Sequence, residues 1–594
     1  MVDASGTTSY TYDNRDRLKT KVTPEGTLTY SYDGFGNLYQ IASSTSNGTQ
    51  LTYLYDSLNR ATNVVDRFTN STTYSFDVVG DLQTEVLPNN ITNTYAYDSL
   101  NRLTNLTSTT SSGTIAIFAY GLTPTGNRTN VVETVNGVSR TNMWAYDPLY
   151  RLTNETIVAS SGGNISYKYD GVGNRTNRTS TVSGVANQTF TYNANDQLTT
   201  DNYDANGSTT NSAGNTYGYD VENRLTNYNS GAATYVYDGD GNRVRKTVSG
   251  VTTYYLIDDR NPSGYAQVLE ELTTIGSTPS RLYSYGLNLI SQRQSSGTTS
   301  FYGYDGNGNT RFLTAANGTI SDTYAYDAFG TLLTSTGTTP NNYLYTGEQY
   351  DPNLGFYYLR ARYLNPGTGR FWTRDSFDGN SQDPLSLHKY LYAENDPVDN
   401  VVWSGFYTSA FGYLAHAAIE AIYVADHPGQ IVIVGTTRGL LGTLLKPDIL
   451  NSTPGNLRFA EIKPLSISGA AKGVVQMGAY SLAFGSLGYT PDVSWQPSTH
   501  FAQVGQVSIA FVNVGGLVFY TSAESNLKDF LALSSIQAVR AFIRANAATL
   551  SRGVIESLTR AGALVTEATA ADTISIESDI GTATLLGEIG GFAF

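Results

Sequence analysis

"TYAYDSLNRLTN", Thr94 to Asn105, decides the fold. Tyr95 and Tyr97 are two residues apart, so they fall on one face of an extended strand, with Thr94 and Ala96 on the other. "DSLN" then gathers the residue types that close tight turns, and "RLTN" starts the return strand. Twelve residues therefore spell one β-hairpin corner. The same grammar returns in "WAYDPLYRLTN" from Trp144, "YKYDGVGNRTN" from Tyr167, "YGYDVENRLTN" from Tyr217 and "YVYDGDGNRVRK" from Tyr235. The period is roughly 20–26 residues, the length of one supersecondary unit in a repeat array. A single hairpin cannot bury its face alone, so neighbouring units must pair. The repeats predict one continuous, mostly antiparallel sheet in which successive hairpins are neighbours.

Composition agrees with a β-rich chain. Of 594 residues, 45 are Tyr and 58 are Gly, and only 14% are charged. Tyr and Thr favour strands, while Gly and Asn favour turns. There is no cysteine, so neither disulfides nor thiolate metal sites contribute. The formal net charge of −14 argues against a chain built throughout to coat nucleic acid, although a local catalytic patch is compatible with it. The opening "MVDASGTTSY" has neither a basic nor an apolar leader region, so no signal peptide is expected. The nearly uncharged "GVVQMGAYSLAFGSLGY" is Gly/Ser-rich and reads as a buried helix, so no membrane span is expected.

These units resemble the Rhs/YD-repeat family. The resemblance continues into Gly347–Val398, "GEQYDPNLGFYYLRARYLNPGTGRFWTRDSFDGNSQDPLSLHKYLYAENDPV", which looks like the Rhs-associated core that closes such arrays. It covers about the first two-thirds of the chain. It implies a β-sheet spiralling into a shell over residues 1–346, a core and junction over 347–404, and a variable C-terminal toxin over 405–594, enclosed or delivered. The array is short for the family, so either a second shell-completing or delivery protein is a partner or the sheet makes an open or small enclosure.

From about Gly405 the Tyr-Asp units stop. "SAFGYLAHAAIEAIYVAD" and "SGAAKGVVQMGAYSLAFGSL" suit helices. "QIVIVGTT", "LRFAEIK" and "QVSIAFVNVGGLVFYTS" read as strands, the last as two around Val514-Gly515-Gly516. The expected fold is a separate, smaller α/β domain. Within it, Glu461 and Lys463 stand two apart on one strand, an acid and a base on the same side. Upstream comes Pro447-Asp448. The set is similar to the PD-(D/E)xK nuclease pattern and implies a restriction-endonuclease-like domain. Gly412, His416 and Glu420 at spacings of four resemble the G-x-x-x-H-x-x-x-E helix of RecB-like members, and Gln476 and Tyr480 resemble their Q-x-x-x-Y helix.

The chemistry is coherent. Hydrolysis of a phosphodiester builds negative charge that a divalent cation neutralises while activating water. Mg²⁺ or Mn²⁺ takes oxygen ligands, which Asp448 and Glu461 supply. By the resemblance, Glu420 and His416 complete the metal set, Lys463 positions the water or stabilises the developing charge, and Gln476 and Tyr480 orient substrate or Lys463. DNA is favoured over RNA, and a cognate immunity protein is expected. From Phe406 onward 10 Lys and Arg face 13 Asp and Glu, so binding has to rely on a local patch and the metal. The resemblance also implies secretion or delivery into a target cell.

At the junction, the family's aspartyl autoprotease needs two carboxylates that share a proton. Asp375 stands at one family position. At the other, Val402 and Trp403 replace the expected Asp-Pro, so cleavage is not expected unless Asp396 or Asp399 substitutes. A second reading of the whole chain is a non-enzymatic YD-repeat surface or adhesion protein with a C-terminal capping domain. The Glu420, Asp448, Glu461 and Lys463 set favours the nuclease, because a cap has no need of it.

Overall fold

The computed structural model describes residues 1–402 apart from Val79 and 377–383, and beyond them the backbone of seven strands between Val432 and Ser522. The chain divides into two compact units, Met1–Thr408 and Ser409–Phe594.

The first unit is built from antiparallel hairpins. From Ser9–Tyr12 to Gln188–Thr189 each strand pairs with the next, and the sheet curls into a barrel. A second sheet of 14 strands runs from Asn202–Tyr203 to Leu332–Thr336 with the same next-neighbour order. The single continuous sheet expected from the repeats is therefore interrupted. The break falls in "FTYNANDQLTTDNYD", where the turns headed by Asn193 and Asp204 follow closely and leave only a bridge, Tyr192 to Leu198, between two-residue strands.

Each corner has one design. In the Asp98 turn, Oδ1 accepts the amides of Leu100 at 2.9 Å and Arg102 at 3.1 Å. Asn101 takes a positive φ of 57°, which Asn tolerates better than most residues. The Arg102 guanidinium closes back on Asp98 at 2.6 Å, and Asp13–Arg17, Asp56–Arg60 and Asp147–Arg151 repeat the pair. The tyrosine before each Asp has a second task. Its hydroxyl donates to a backbone carbonyl just after the corresponding turn of the preceding hairpin, as in Tyr32 to Leu18, Tyr55 to Leu38, Tyr146 to Arg128 (after the Thr123 turn) and Tyr169 to Leu152. The repeat thus stitches consecutive hairpins through side chains as well as through the ladder.

The two sheets share one apolar core, in which Leu28, Tyr30, Tyr53 and Ile165 meet Leu256, Leu269, Tyr283 and Phe329. Polar links between them follow the same order along both sheets. Tyr30 donates to Asp258, Tyr53 to the Tyr285 carbonyl, Arg311 to Glu133, and the Ala328 amide to Glu155. Gly347 onward forms a four-stranded sheet, Gln349–Asp351, Phe356–Leu359, Arg362–Asn365 and Arg370–Phe371. It locks onto the repeats through buried Arg243, which donates to Gln349 at 2.6 Å and Asp351 at 3.3 Å and stacks on Tyr358. Among the described residues no helix is long and apolar enough to cross a membrane.

The second unit contributes a seven-stranded mixed sheet. Strands Val432–Val434, Asn456–Pro464, Val507–Val514 and Leu517–Ser522 coincide with runs that read as strands in the sequence, whereas Ile449–Thr453 is a strand that the sequence reading did not name. The helices expected from Ser409 and from Ser468 lie outside the described residues.

Candidate functional site

Two places carry candidate chemistry. The first is strand Asn456–Pro464 of the second unit, which holds Glu461 and Lys463. Its antiparallel ladder to Ile449–Thr453 ends at the pair Ile449–Ala460. A parallel ladder to Leu517–Ser522 begins at Glu461–Leu517 and carries Lys463 opposite Phe519. One ladder thus stops and another, on the opposite edge of the strand, starts beside the Glu-Ile-Lys run. His416, Glu420, Asp448, Gln476 and Tyr480 lie outside the described residues. Asp448 is the residue immediately before Ile449 in the chain.

The second place is the junction. Asp375 is buried and bound by Arg362, whose Nη2 lies 2.6 Å from its Oδ2. Burial pushes the Arg362 guanidinium down to about 10, with Asp375 opposing that shift, and the same guanidinium stacks 3.6 Å from the Phe371 ring centre. Val402, where the family pattern has Asp, packs in the apolar core.

A different carboxylate pair forms three residues before Val402. The Asp399 amide donates to Asp396 Oδ1 at 3.3 Å, while Asp399 accepts the Arg128 amide at 3.0 Å. Burial raises both carboxyls. The neighbouring Asp399 pushes Asp396 further, well above the usual range, and Arg128 partly restrains Asp399. Burial and mutual repulsion thus both favour protonation of this pair. The Arg128 side chain donates to the Val398 carbonyl at 2.7 Å and to Asn307 at 2.9 Å, and Asn307 donates to the Pro397 carbonyl. The junction is therefore held by its backbone. It borders a small cavity of about 60 Å³ whose lining includes the charged residues Arg128, Glu133, Arg140, Glu155, Arg311 and Asp327. In the sequence Asp396 and Asp399 stood out only as stand-ins for the missing Asp. Their partner Arg128 is some 270 positions away, and no local pattern announces it.

Hairpins chained corner to corner, a second sheet docked in register on the first and a terminal four-stranded clamp define a β-shell of Tyr-Asp repeats. The chain belongs to the Teneurin YD-shell family, whose model matches residues 91–398. It is 36% identical over 253 residues to the tRNA3(Ser)-specific nuclease WapA of Bacillus spizizenii and 34% identical over 252 residues to the tRNA nuclease WapA of Bacillus subtilis strain 168. Each match covers 40% of this chain, and the chain spans only 11% of the length of either relative. Among solved structures, the crystal structure of TcdB2-TccC3-TEV superposes with a TM-score of 0.57 at 16% identity, over 68% of this chain and 24% of that one. The Tc holotoxin pore of Photorhabdus luminescens gives 0.55 at 17% identity, over 69% and 23%. At that identity the structures speak to the fold.

Proposed function

We propose that the chain is an Rhs-type polymorphic toxin whose shell carries a C-terminal nuclease. The observation that carries the reading is the conjunction of a Tyr-Asp shell with Glu461 and Lys463 on one strand, where the ladder to Ile449–Thr453 gives way to that with Leu517–Ser522. The two WapA relatives, named as tRNA nucleases, support a nuclease cargo. Their likeness lies in the shell portion, so it does not choose the polymer. The motif resemblance favours DNA.

In this reading Asp448 and Glu461 hold Mg²⁺ or Mn²⁺, with Glu420 and His416 completing the set. The oxygen-rich donor set fits a hard cation. The metal supplies Lewis acidity for water and phosphate. Lys463 places its ammonium against the negative charge that grows on the phosphoryl oxygens, while Gln476 and Tyr480 orient the substrate or Lys463. The protein is delivered into a target cell, with an immunity protein protecting the producer and a shell-completing or delivery protein as a further partner.

The test is cleavage of plasmid DNA and of tRNA by the purified full chain and by the second unit, with Mg²⁺ or Mn²⁺ and with chelator. Lys463→Ala is expected to lose on the order of 100-fold or more in rate, the scale of one removed transition-state charge partner. Asp448→Ala and Glu461→Ala are expected to abolish the metal dependence together with turnover. Cleavage that survives chelator or all three substitutions overturns the mechanism. A folded protein that cuts neither polymer favours the capping-domain reading.

A further inference from the structure

Lys21 is 1% exposed, and its Nζ makes no hydrogen bond to the protein. It stands on strand Leu18–Thr23 of the first sheet, opposite Tyr10 on one side and Leu28 on the other. An ammonium has three donors, and leaving them unmatched away from water is costly. Lys246 shows the ordinary solution. It donates to Asp351 at 2.7 Å, and Arg243 completes that cluster. Among the described residues, the acid within ion-pair reach of Lys21 is Asp259. Its Oδ2 lies 3.7 Å away, too far for a hydrogen bond.

Asp259 follows strand Val251–Asp258, so the pair spans the interface between the two sheets. Its chain neighbour Asp258 is fully buried. Oδ1 of Asp258 accepts the Tyr30 hydroxyl at 2.9 Å and the Arg260 amide at 3.1 Å, while Oδ2 is left without a well-formed hydrogen bond. Burial raises the Asp258 carboxyl, and the charge of Asp259 adds to the rise. Such a carboxyl keeps its proton and has an oxygen free to pass it on. Buried Asp238 lies close enough to feel the Lys21 charge, so the surroundings of Nζ are acidic as well as closed. On its far side Asp259 faces Arg260, with Oδ1 and Nε 3.6 Å apart, and these side chains are 30% and 47% exposed.

An amine and a carboxyl held together away from water have a second way to shed the cost of buried charge. Proton transfer within the pair gives a neutral amine and a carboxylic acid, and a desolvated lysine amine is a nucleophile. Nζ attacks Cγ of Asp259. Asp258 gives its proton to the departing hydroxyl and takes one from the nitrogen. The bond formed is Nζ–Cγ, the bond broken is Cγ–O, and one water leaves by the exposed side of Asp259. The balance needs no oxidant and no further reactant. The product amide is uncharged and keeps a single N–H in place of three unmatched donors.

We propose that Lys21 and Asp259 join in an intramolecular isopeptide bond, a covalent brace between the first and second sheets. The chain has no cysteine, so a disulfide cannot supply such a brace. The proposal does not rest on the nuclease reading.

Intact-mass spectrometry of the denatured full chain is expected to give the sequence mass less one water. Fragmentation after digestion is expected to find the peptide containing Lys21 joined to the peptide containing Asp259. Both measurements use the parent chain, so neither depends on a variant that folds. Lys21→Arg, which keeps the charge, and Asp259→Ala are each expected to return the full sequence mass. Asp258→Asn, which cannot carry the proton, is expected to accumulate the unlinked chain. Dehydration at an Asp-Gly step such as Asp238-Gly239 also removes one water, but it survives Lys21→Arg. A parent chain at its full sequence mass overturns the proposal and leaves a buried ion pair. So does a water loss that persists in Lys21→Arg, or a parent digest without the joined peptide. A fully linked Asp258→Asn chain overturns the proton route.

Discussion

Glu155 shows how one residue ties the two sheets together and what that costs. It is fully buried, accepts the Ala328 amide of the opposite sheet at 2.9 Å and neighbours Asp327. Burial, then Asp327, pushes its carboxyl up to about 7, against an ordinary 4.5, while Arg140 pulls the other way. The folded protein therefore binds a proton that the unfolded chain releases from about pH 4.5 upward. That contribution to stability is complete below pH 4.5, declines as pH rises, and is lost above about 7. Asp327, Asp396 and Asp399, raised in the same direction, add to the trend. Glu155→Gln keeps an oxygen for the Ala328 amide and removes the titration. Thermal melting across pH 4–8 is expected to show a flatter profile for the variant and a higher Tm than the parent at pH 8. A parent Tm that climbs steadily over this range would contradict the assignment. Nothing in "LTNETIV" marks Glu155 as special, because its partner Asp327 is far off in sequence.

At the scale of the element, the hairpin was legible from twelve residues. Tyr-Asp, the turn and the returning strand are local events, governed by alternation and by what Asp, Gly and Asn do to a backbone. The tyrosine hydroxyls were not legible, because alternation distinguishes only faces. Their targets lie some 15 residues back, on the neighbouring hairpin. Phe76, which replaces the tyrosine ahead of Asp77, lacks the hydroxyl but keeps the arginine stack, here from Arg60. Tyr169→Phe leaves the buried ring in place and removes its 2.6 Å bond to the Leu152 carbonyl. The expected cost is about 1–2 kcal/mol, read as a shift of the urea midpoint with unchanged slope. An unchanged midpoint would mean that water replaces the hydroxyl without loss. The break at Tyr192 escaped the repeat reading for the opposite reason: the turn signals persist there while the strands between them shrink.

Across the whole molecule, the sequence names a candidate site by type and order, as the acids, the lysine and the flanking motif residues. Only Glu461 and Lys463 fall on a described strand. The junction was legible as a departure from the family pattern. The structure gives that departure a physical form, with Val402 in the core and Asp375 bound by Arg362. The purified protein is accordingly expected to remain one chain, and intact-mass spectrometry checks it. A native fragment starting near Phe406 would show that Asp396 and Asp399 act as a working acid pair despite the missing Asp-Pro. The next-neighbour order of the strands also bears on how the chain is made and unmade. Ladders between adjacent hairpins have low contact order, so the first sheet can assemble as the chain leaves the ribosome, each hairpin templating the one behind it. The second sheet then meets a surface already complete. Under tension applied at the C-terminal end, the order reverses. The clamp gives way first, and the hairpins peel one pair at a time, dividing one large mechanical barrier into a staircase of small ones.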